Sequence, residues 1–307
     1  MGDGLTRREL IISAAQAAAA LALTGCGVKA AKTTSNGRTT GKSVAGKITI
    51  ATNKDRAEAV RAAMESLGGM KSFVKQGDFV VIKPNAAWGR TPEAAATTHP
   101  DTLAAVIKLC KEAGAKDILV VEHTIDKPSE MVLSLSGIKE SAEKAGARVI
   151  AAQMETMYTP INIPNGKVLK RDQVIKDILK ADVFINLPTA KVHGDTKVTL
   201  GMKNLMGTIW NPQAWHTSTS IHQCIADYAA VMRPDLTILD ASRMLMTNGP
   251  KGPGDTKDTN QIIAGNDQVA IDAYGATLFG LKPEDVPHIK LAHQSGLGEI
   301  EFGKVRV

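Results

Sequence analysis

Cysteine is scarce in this chain, with three in 307 residues, at positions 26, 110 and 224. No Cys-x-x-Cys pair occurs, so an iron–sulfur cluster or a structural zinc site built on cysteines lacks ligands. Aromatic residues are also few, at 4%, and no recognisable nucleic-acid motif is present. Both points argue against DNA or RNA as a partner. An Ala/Leu-rich run ending at Leu23 is too short and too weakly hydrophobic for a permanent membrane span. No internal repeat is visible, and beyond residue 47 no shift in composition marks a second linker.

What is present fits a soluble α/β protein, with 43% hydrophobic and 22% charged residues. The formal charge of +6 is spread over lysines that mostly sit beside acids, as in KLCKEAGAKD, so most of it reads as solvated surface. The N-terminus reads as an address. Thr6-Arg7-Arg8-Glu9-Leu10-Ile11 resembles a twin-arginine export signal, and Leu23-Thr24-Gly25-Cys26 resembles a lipobox in which Cys26 is lipidated. The expected organisation is therefore a signal over 1–25, a flexible Ala/Thr/Ser/Gly/Lys-rich tether over 26–46, and one α/β domain over 47–307. That places the protein outside the cytoplasm, held to a membrane by lipid and delivered by the twin-arginine machinery. Cys110 lies in an apolar helical pattern and reads as a buried thiol; one further cysteine, Cys224, leaves open whether the two pair.

From residue 47 onward, short β-branched runs alternate with helical periodicity. Strands are expected at KITIAT, 79–82, 118–121, 148–153, 183–187, 236–240 and 261–264, with helices between them. Single helices are expected over 129–144 and 172–179, and another runs from a cap at Asp195 or Thr196 through Thr199, Lys203 and Met206. The fold class that follows is a mostly parallel, Rossmann-like sheet with helices on both faces, as one compact unit or two lobes.

Polar groups gather where strands end: Lys83 and Asn85, Glu122 and His123, Lys191 and His193. Carboxyl ends of parallel strands share one rim, so these groups can meet although they are far apart in sequence. Singly, each has a plainer reading: a surface lysine, a turn asparagine, a hydrogen-bonded histidine. His216 and His222, six apart, lack the spacing that puts two ligands on one helical turn, so only His216 is a candidate metal ligand. Trp88, Trp210 and Trp215 read as pocket walls or core. His288 and His293 read as surface positions. The turn NGPKGPG (248–254) reads as a tight surface loop in which Lys251 could meet an anion.

With these motifs laid out, VVIKPN, TTHPDTLAAVIKLCKEAGAKDILVVE, INLPTAKVH, TLGMKNLMG, PDLTILDA and NGPKGPG together resemble the uncharacterised domain-of-unknown-function family 362. A remoter likeness is to the nickel-pincer lactate racemase family. That likeness implies a metal or pincer-nucleotide cofactor, with Lys203 anchoring it beside Lys191 and Asn204, and His216 on the metal. It also implies His123 and His193 as the acid/base pair. GMKNLMG departs from the racemase's glycine-rich segment, and His216 is not at the matching spacing.

Lys83, Asn85 and Arg90 are the expected substrate-binding groups, since proton transfer beside a carboxylate needs cations to hold the anion. The functional expectation is an exported enzyme acting on a small anionic substrate such as a 2-hydroxy acid, of racemase, isomerase or oxidoreductase type. The alternative is a non-catalytic envelope protein that binds an anionic ligand.

Overall fold

Alternating runs of branched residues and helical segments call for parallel strands, and the computed structural model, which describes residues 48–301, contains them. In chain order the strands are β1 (Ile48–Thr52), β2 (Phe79–Pro84), β3 (Asp117–Glu122), β4 (Arg148–Ala151), β5 (Tyr158–Asn162) and β6 (Arg171–Ile175). They continue as β7 (Val183–Leu187), β8 (Thr189–His193), β9 (Lys197–Thr199), β10 (Leu236–Leu245) and β11 (Thr256–Gly265). The helices are α1 (Arg56–Ser66), α2 (Pro100–Ala113), α3 (Ser129–Leu135), α4 (Ile138–Ala145) and α5 (Lys176–Lys180). After them come α6 (Gly201–Asn204), α7 (Gln213–His216), α8 (Ile221–Val231), α9 (Gln268–Thr277) and α10 (Pro287–Gln294).

Nine strands form one sheet in the order β1-β11-β10-β7-β2-β3-β4, with β8 on the far half of β10 and β9 on β8. Neighbours from β10 to β4 run parallel, and the β1–β11–β10 edge is antiparallel. Strand residues alternate between faces. Val80, Ile82, Ile118 and Val120 join the core beneath α1 and α2, while Val81, Leu119 and Val121 join the one beneath α8, α9 and α10. All described residues belong to one compact unit. Among them no helix is long and apolar enough to cross a membrane. The expected export signal and tether, and the expected lipidation site Cys26, lie outside the described residues.

Several elements differ from the sequence expectation. Residues 158–175 form a β5–β6 hairpin, so the helix expected from Asp172 begins only at Lys176. The helix expected over 129–144 breaks at Gly137, whose φ of 71° lies in the left-handed region. β10 and β11 are ten residues each, and NGPKGPG is the turn that joins them. His288 is fully buried rather than on the surface. Cys110 and Cys224 are both buried and unpaired.

The departure that shapes the site lies after Pro188. Instead of a loop capped into a long helix, the chain forms the β8–β9 hairpin, pairing Lys191 with Thr199 and His193 with Lys197. Asp195 and Thr196 sit in its turn, and helix α6 begins only at Gly201. Its cap comes from far away: the Asp272 carboxylate on α9 accepts the N–H of Gly201 at 2.6 Å and that of Met202 at 2.9 Å. Because Asp272 is fully buried, no water can replace it at those donors. Asp272→Ala is therefore expected to lower the unfolding free energy by about 2–4 kcal/mol in urea denaturation. A change below about 0.5 kcal/mol would show that the cap is dispensable.

Candidate active site

The ends of β2 and β3, the β8–β9 hairpin and helix α6 meet around a cavity of about 380 Å³. Lys83, Asn85, His123, Lys191, His193, Lys203, Asn204 and His216 all line it, so eight residues drawn from separate sequence segments converge. Trp88 and Trp210 form part of its wall. Trp215 does not; it is buried, donates its indole N–H to Asp172 and packs edge-on to Tyr228.

Arg90 is not among the lining residues. Its guanidinium donates to the backbone carbonyls of Gly89, Lys251 and Gly252 and so ties the NGPKGPG turn to the Trp88 loop. Lys251 strengthens the same tie, pairing with Asp126 at 2.9 Å and lying 5.4 Å from the centre of the Trp88 ring.

The floor of the cavity is a buried ion pair. Lys83 Nζ donates to Glu122 Oε2 at 2.8 Å, to Asn204 Oδ1 at 3.0 Å and to the Pro84 carbonyl at 2.6 Å, which uses all three of its protons. Glu122 also accepts the backbone N–H groups of Ala86 and His123, at 2.7 and 2.9 Å. Burial pushes the Glu122 pKa up and the Lys83 pKa down, and the attraction between the two opposes both shifts. The rest of the network follows from side-chain amides. Asn204 Oδ1 also accepts from Asn85 Nδ2 at 2.9 Å, and Asn204 Nδ2 donates to Asn186 Oδ1 at 2.8 Å. Gly207 passes directly over the pair: a Cβ there would stand 2.5 Å from Glu122 Oε1 and 2.7 Å from Lys83 Nζ.

Among the described residues the other two lysines have no carboxylate partner. Lys191 Nζ donates to Asn85 Oδ1 at 2.9 Å and to the Ala96 carbonyl. Burial, then the positive fields of Lys203 and Lys83, hold its pKa well below the ordinary lysine value. Lys203 is 9% exposed. Burial and then Lys83 lower its pKa to about 8, with Asp195 opposing. Among the described residues its ammonium has no hydrogen-bond or ion-pair partner. The Thr199 hydroxyl, also lining the cavity, is buried without a partner.

The two histidines expected to exchange protons are both neutral, and their neighbours fix their tautomers. Tyr158 donates its one hydroxyl proton to the Ala152 carbonyl at 2.8 Å, so in its 2.8 Å contact with His123 Nδ1 it must accept. His123 therefore carries its proton on Nδ1 and leaves a lone pair at Nε2. His193 is the reverse: Nδ1 accepts the Asp195 backbone N–H at 3.1 Å, so the proton sits on Nε2. Burial, then the field of Lys127, lowers the His123 pKa to about 4. Burial, then the field of Lys203, lowers that of His193 to about 2.

His216 stacks on His193 at 5.9 Å between ring centres and binds Asp195 through Nδ1 at 2.6 Å. Among the described residues no three His, Cys, Asp or Glu side chains gather to hold a metal ion. A metal held by protein side chains alone therefore finds too few donors here, and His216 Nδ1 is already engaged by Asp195.

Residues 80–277, more than half of the chain, match the model of a family described as Domain of unknown function (DUF362). The chain belongs to this family. It is 30% identical over 253 residues to a thylakoid-associated protein of Synechocystis sp., covering 78% of this chain and 74% of that one. Among solved structures, the DUF362 chain is similar to the lactate racemase apoprotein from Thermoanaerobacterium thermosaccharolyticum, at 14% identity and a TM-score of 0.48. That match covers 75% of this chain and 56% of that one. A structural-genomics protein from Thermotoga maritima matches at 10% identity and a TM-score of 0.43, over 79% of this chain and 60% of that one. The DUF362 chain therefore spans little more than half the length of either solved structure.

Sequence reasoning placed Glu122 among the strand-end groups but gave it no chemical role, and nothing local marks its pairing with Lys83. It had no local signal for Tyr158, which sets the His123 tautomer from a separate hairpin. Removing the cation beneath the cavity exposes the balance. Lys83→Met leaves the Glu122 carboxylate buried without its partner and is expected to cost about 3–5 kcal/mol in chemical denaturation. A loss under about 1 kcal/mol would mean that the pair is not set against burial at all.

Proposed function

We propose that this cavity takes a small carboxylate and exchanges a carbon-bound proton next to it. His123 is the base, and His193 is the hydrogen-bond donor to the oxygen on which charge builds. The observation that carries this reading is the pair of neutral imidazoles lining one cavity in opposite tautomers, one with a lone pair at Nε2 and the other with N–H. A base must present a lone pair at working pH, and burial keeps His123 unprotonated there. A neutral imidazole N–H can stabilise an enolate-like oxygen without surrendering its own proton.

The charge balance selects the ligand. Three lysines face one carboxylate, Glu122, which Lys83 already engages. An arriving carboxylate offsets the positive fields of Lys203 and Lys83 at Lys191 and draws that lysine toward the charged form. Trp88 and Trp210 limit its size.

The test is deuterium exchange by full-length protein, followed by NMR over a panel of 2-hydroxy and 2-oxo acids in heavy water. His123→Ala is expected to slow the exchange about 10²–10⁴-fold. Because the base has its pKa at about 4, the wild-type rate on the 2-hydroxy acids should hold steady as pH falls to that value and drop only below it. A decline already centred near the ordinary histidine value would contradict the assignment. Saturable binding with no exchange would instead favour the non-catalytic anion-binding protein.

From the N-terminal sequence we further propose that the chain is exported folded and anchored by lipid on Cys26. Cys26→Ser should abolish incorporation of labelled palmitate in a bacterial host with twin-arginine export; undiminished labelling would refute the anchor.

A further inference from the structure

We propose that Lys203 is a nucleophile that captures the carbonyl carbon of a small 2-oxo acid as an imine. This rests on the cavity being the carboxylate site proposed above, and it names the substrate class.

The three lysines of the cavity are not equivalent. Lys83 has all three N–H groups engaged. Lys191 is held between the Asn85 side-chain oxygen and the Ala96 carbonyl. Lys203 alone of the three is without a partner among the described residues, although it is 9% exposed and lines the cavity. Its Nζ is not sealed from solvent, so a ligand entering the cavity can reach it.

Its backbone is fixed at both ends of one helical turn. Asp272 caps the N–H groups of Gly201 and Met202, and Asn204 is locked into the amide network with Lys83 and Asn186. The Thr199 hydroxyl at the end of β9, buried without a partner among the described residues, lines the same cavity. A ligand with a carbonyl next to a carboxylate would supply what both lack: an electrophilic carbon for the amine and an oxygen for the hydroxyl.

The lowered pKa makes the amine available. With a pKa of about 8, roughly one Lys203 in ten is neutral at pH 7, against fewer than about one in a thousand for an ordinary lysine. The step balances without any redox partner. The Lys203 lone pair attacks the carbonyl carbon, and the carbonyl π pair moves to oxygen, which takes up a proton from solvent, so that the imine finally forms in its protonated state. The new ammonium nitrogen sheds a proton to Nε2 of His123, which returns it to the hydroxyl as water leaves and the C=N bond forms. The imine then acidifies the neighbouring C–H, whose proton His123 is placed to take.

The experiment has two arms on the full-length protein. In the first, glyoxylate or pyruvate is added with sodium cyanoborohydride, and the product is read by intact mass and peptide mapping. One adduct per chain on Lys203 is expected, forming faster as pH rises toward 8 because the neutral amine is the reactive form. In the second arm, binding of a 2-hydroxy acid, which has no carbonyl, is followed by tryptophan fluorescence. Lys203→Arg cannot form the imine and should lose the adduct, whereas the wild-type protein should bind the 2-hydroxy acid with no adduct forming. Binding with no adduct on Lys203, or adducts scattered over surface lysines, would overturn the imine and leave the carboxylate site standing. Neither binding nor adduct would overturn both.

Discussion

The site depends on one buried ion pair. Lys83 and Glu122 stand at the ends of neighbouring parallel strands, both essentially inaccessible to water. Neither could be buried without the other, and the pair persists because every proton of Lys83 has an acceptor and the carboxylate takes two backbone N–H groups as well. Once that pair is in place, its neighbours are constrained in turn. The amides of Asn85 and Asn204 are oriented by it, the backbone at Gly207 must pass without a side chain, and the backbone N–H of His123 is fixed by the carboxylate. The positive charges of the cavity are thus a consequence of the fold rather than an ornament on it.

How much of this could be read in advance varied with how local the cause was. Strands such as Val80–Ile82 and Val183–Leu187 announce themselves by short, mostly apolar runs, and the polar groups at their ends were legible because parallel strands share a rim. The segment after Pro188 was not. Asp195 and Thr196 look like helix caps, but the true cap of α6 is Asp272, about seventy residues later, which no local pattern reveals. For the same reason Lys251 looked available to an anion when Asp126 already holds it, and Arg90 looked like a ligand group when backbone carbonyls occupy it. His288 was misread because its helix packs α10 against α8, and its imidazole meets His222 at 3.1 Å instead of solvent.

The chemistry follows from where protons are held. Burial and clustered lysines together keep the His123 and His193 imidazoles neutral, and hydrogen bonds from outside the cavity decide which nitrogen of each carries the proton. One ring offers a lone pair and the other an N–H, which is the division of labour that proton transfer beside a carbonyl or carboxylate requires. Lys203 completes the set as the amine that no protein group among the described residues engages.

The most direct test of this account is ¹⁵N NMR of the imidazole nitrogens in the ligand-free protein at pH 6, with His123 and His193 assigned through single substitutions. The account predicts two neutral rings in opposite tautomers, with the proton on Nδ1 in His123 and on Nε2 in His193. Finding either ring as the imidazolium, or both in the same tautomer, would contradict it.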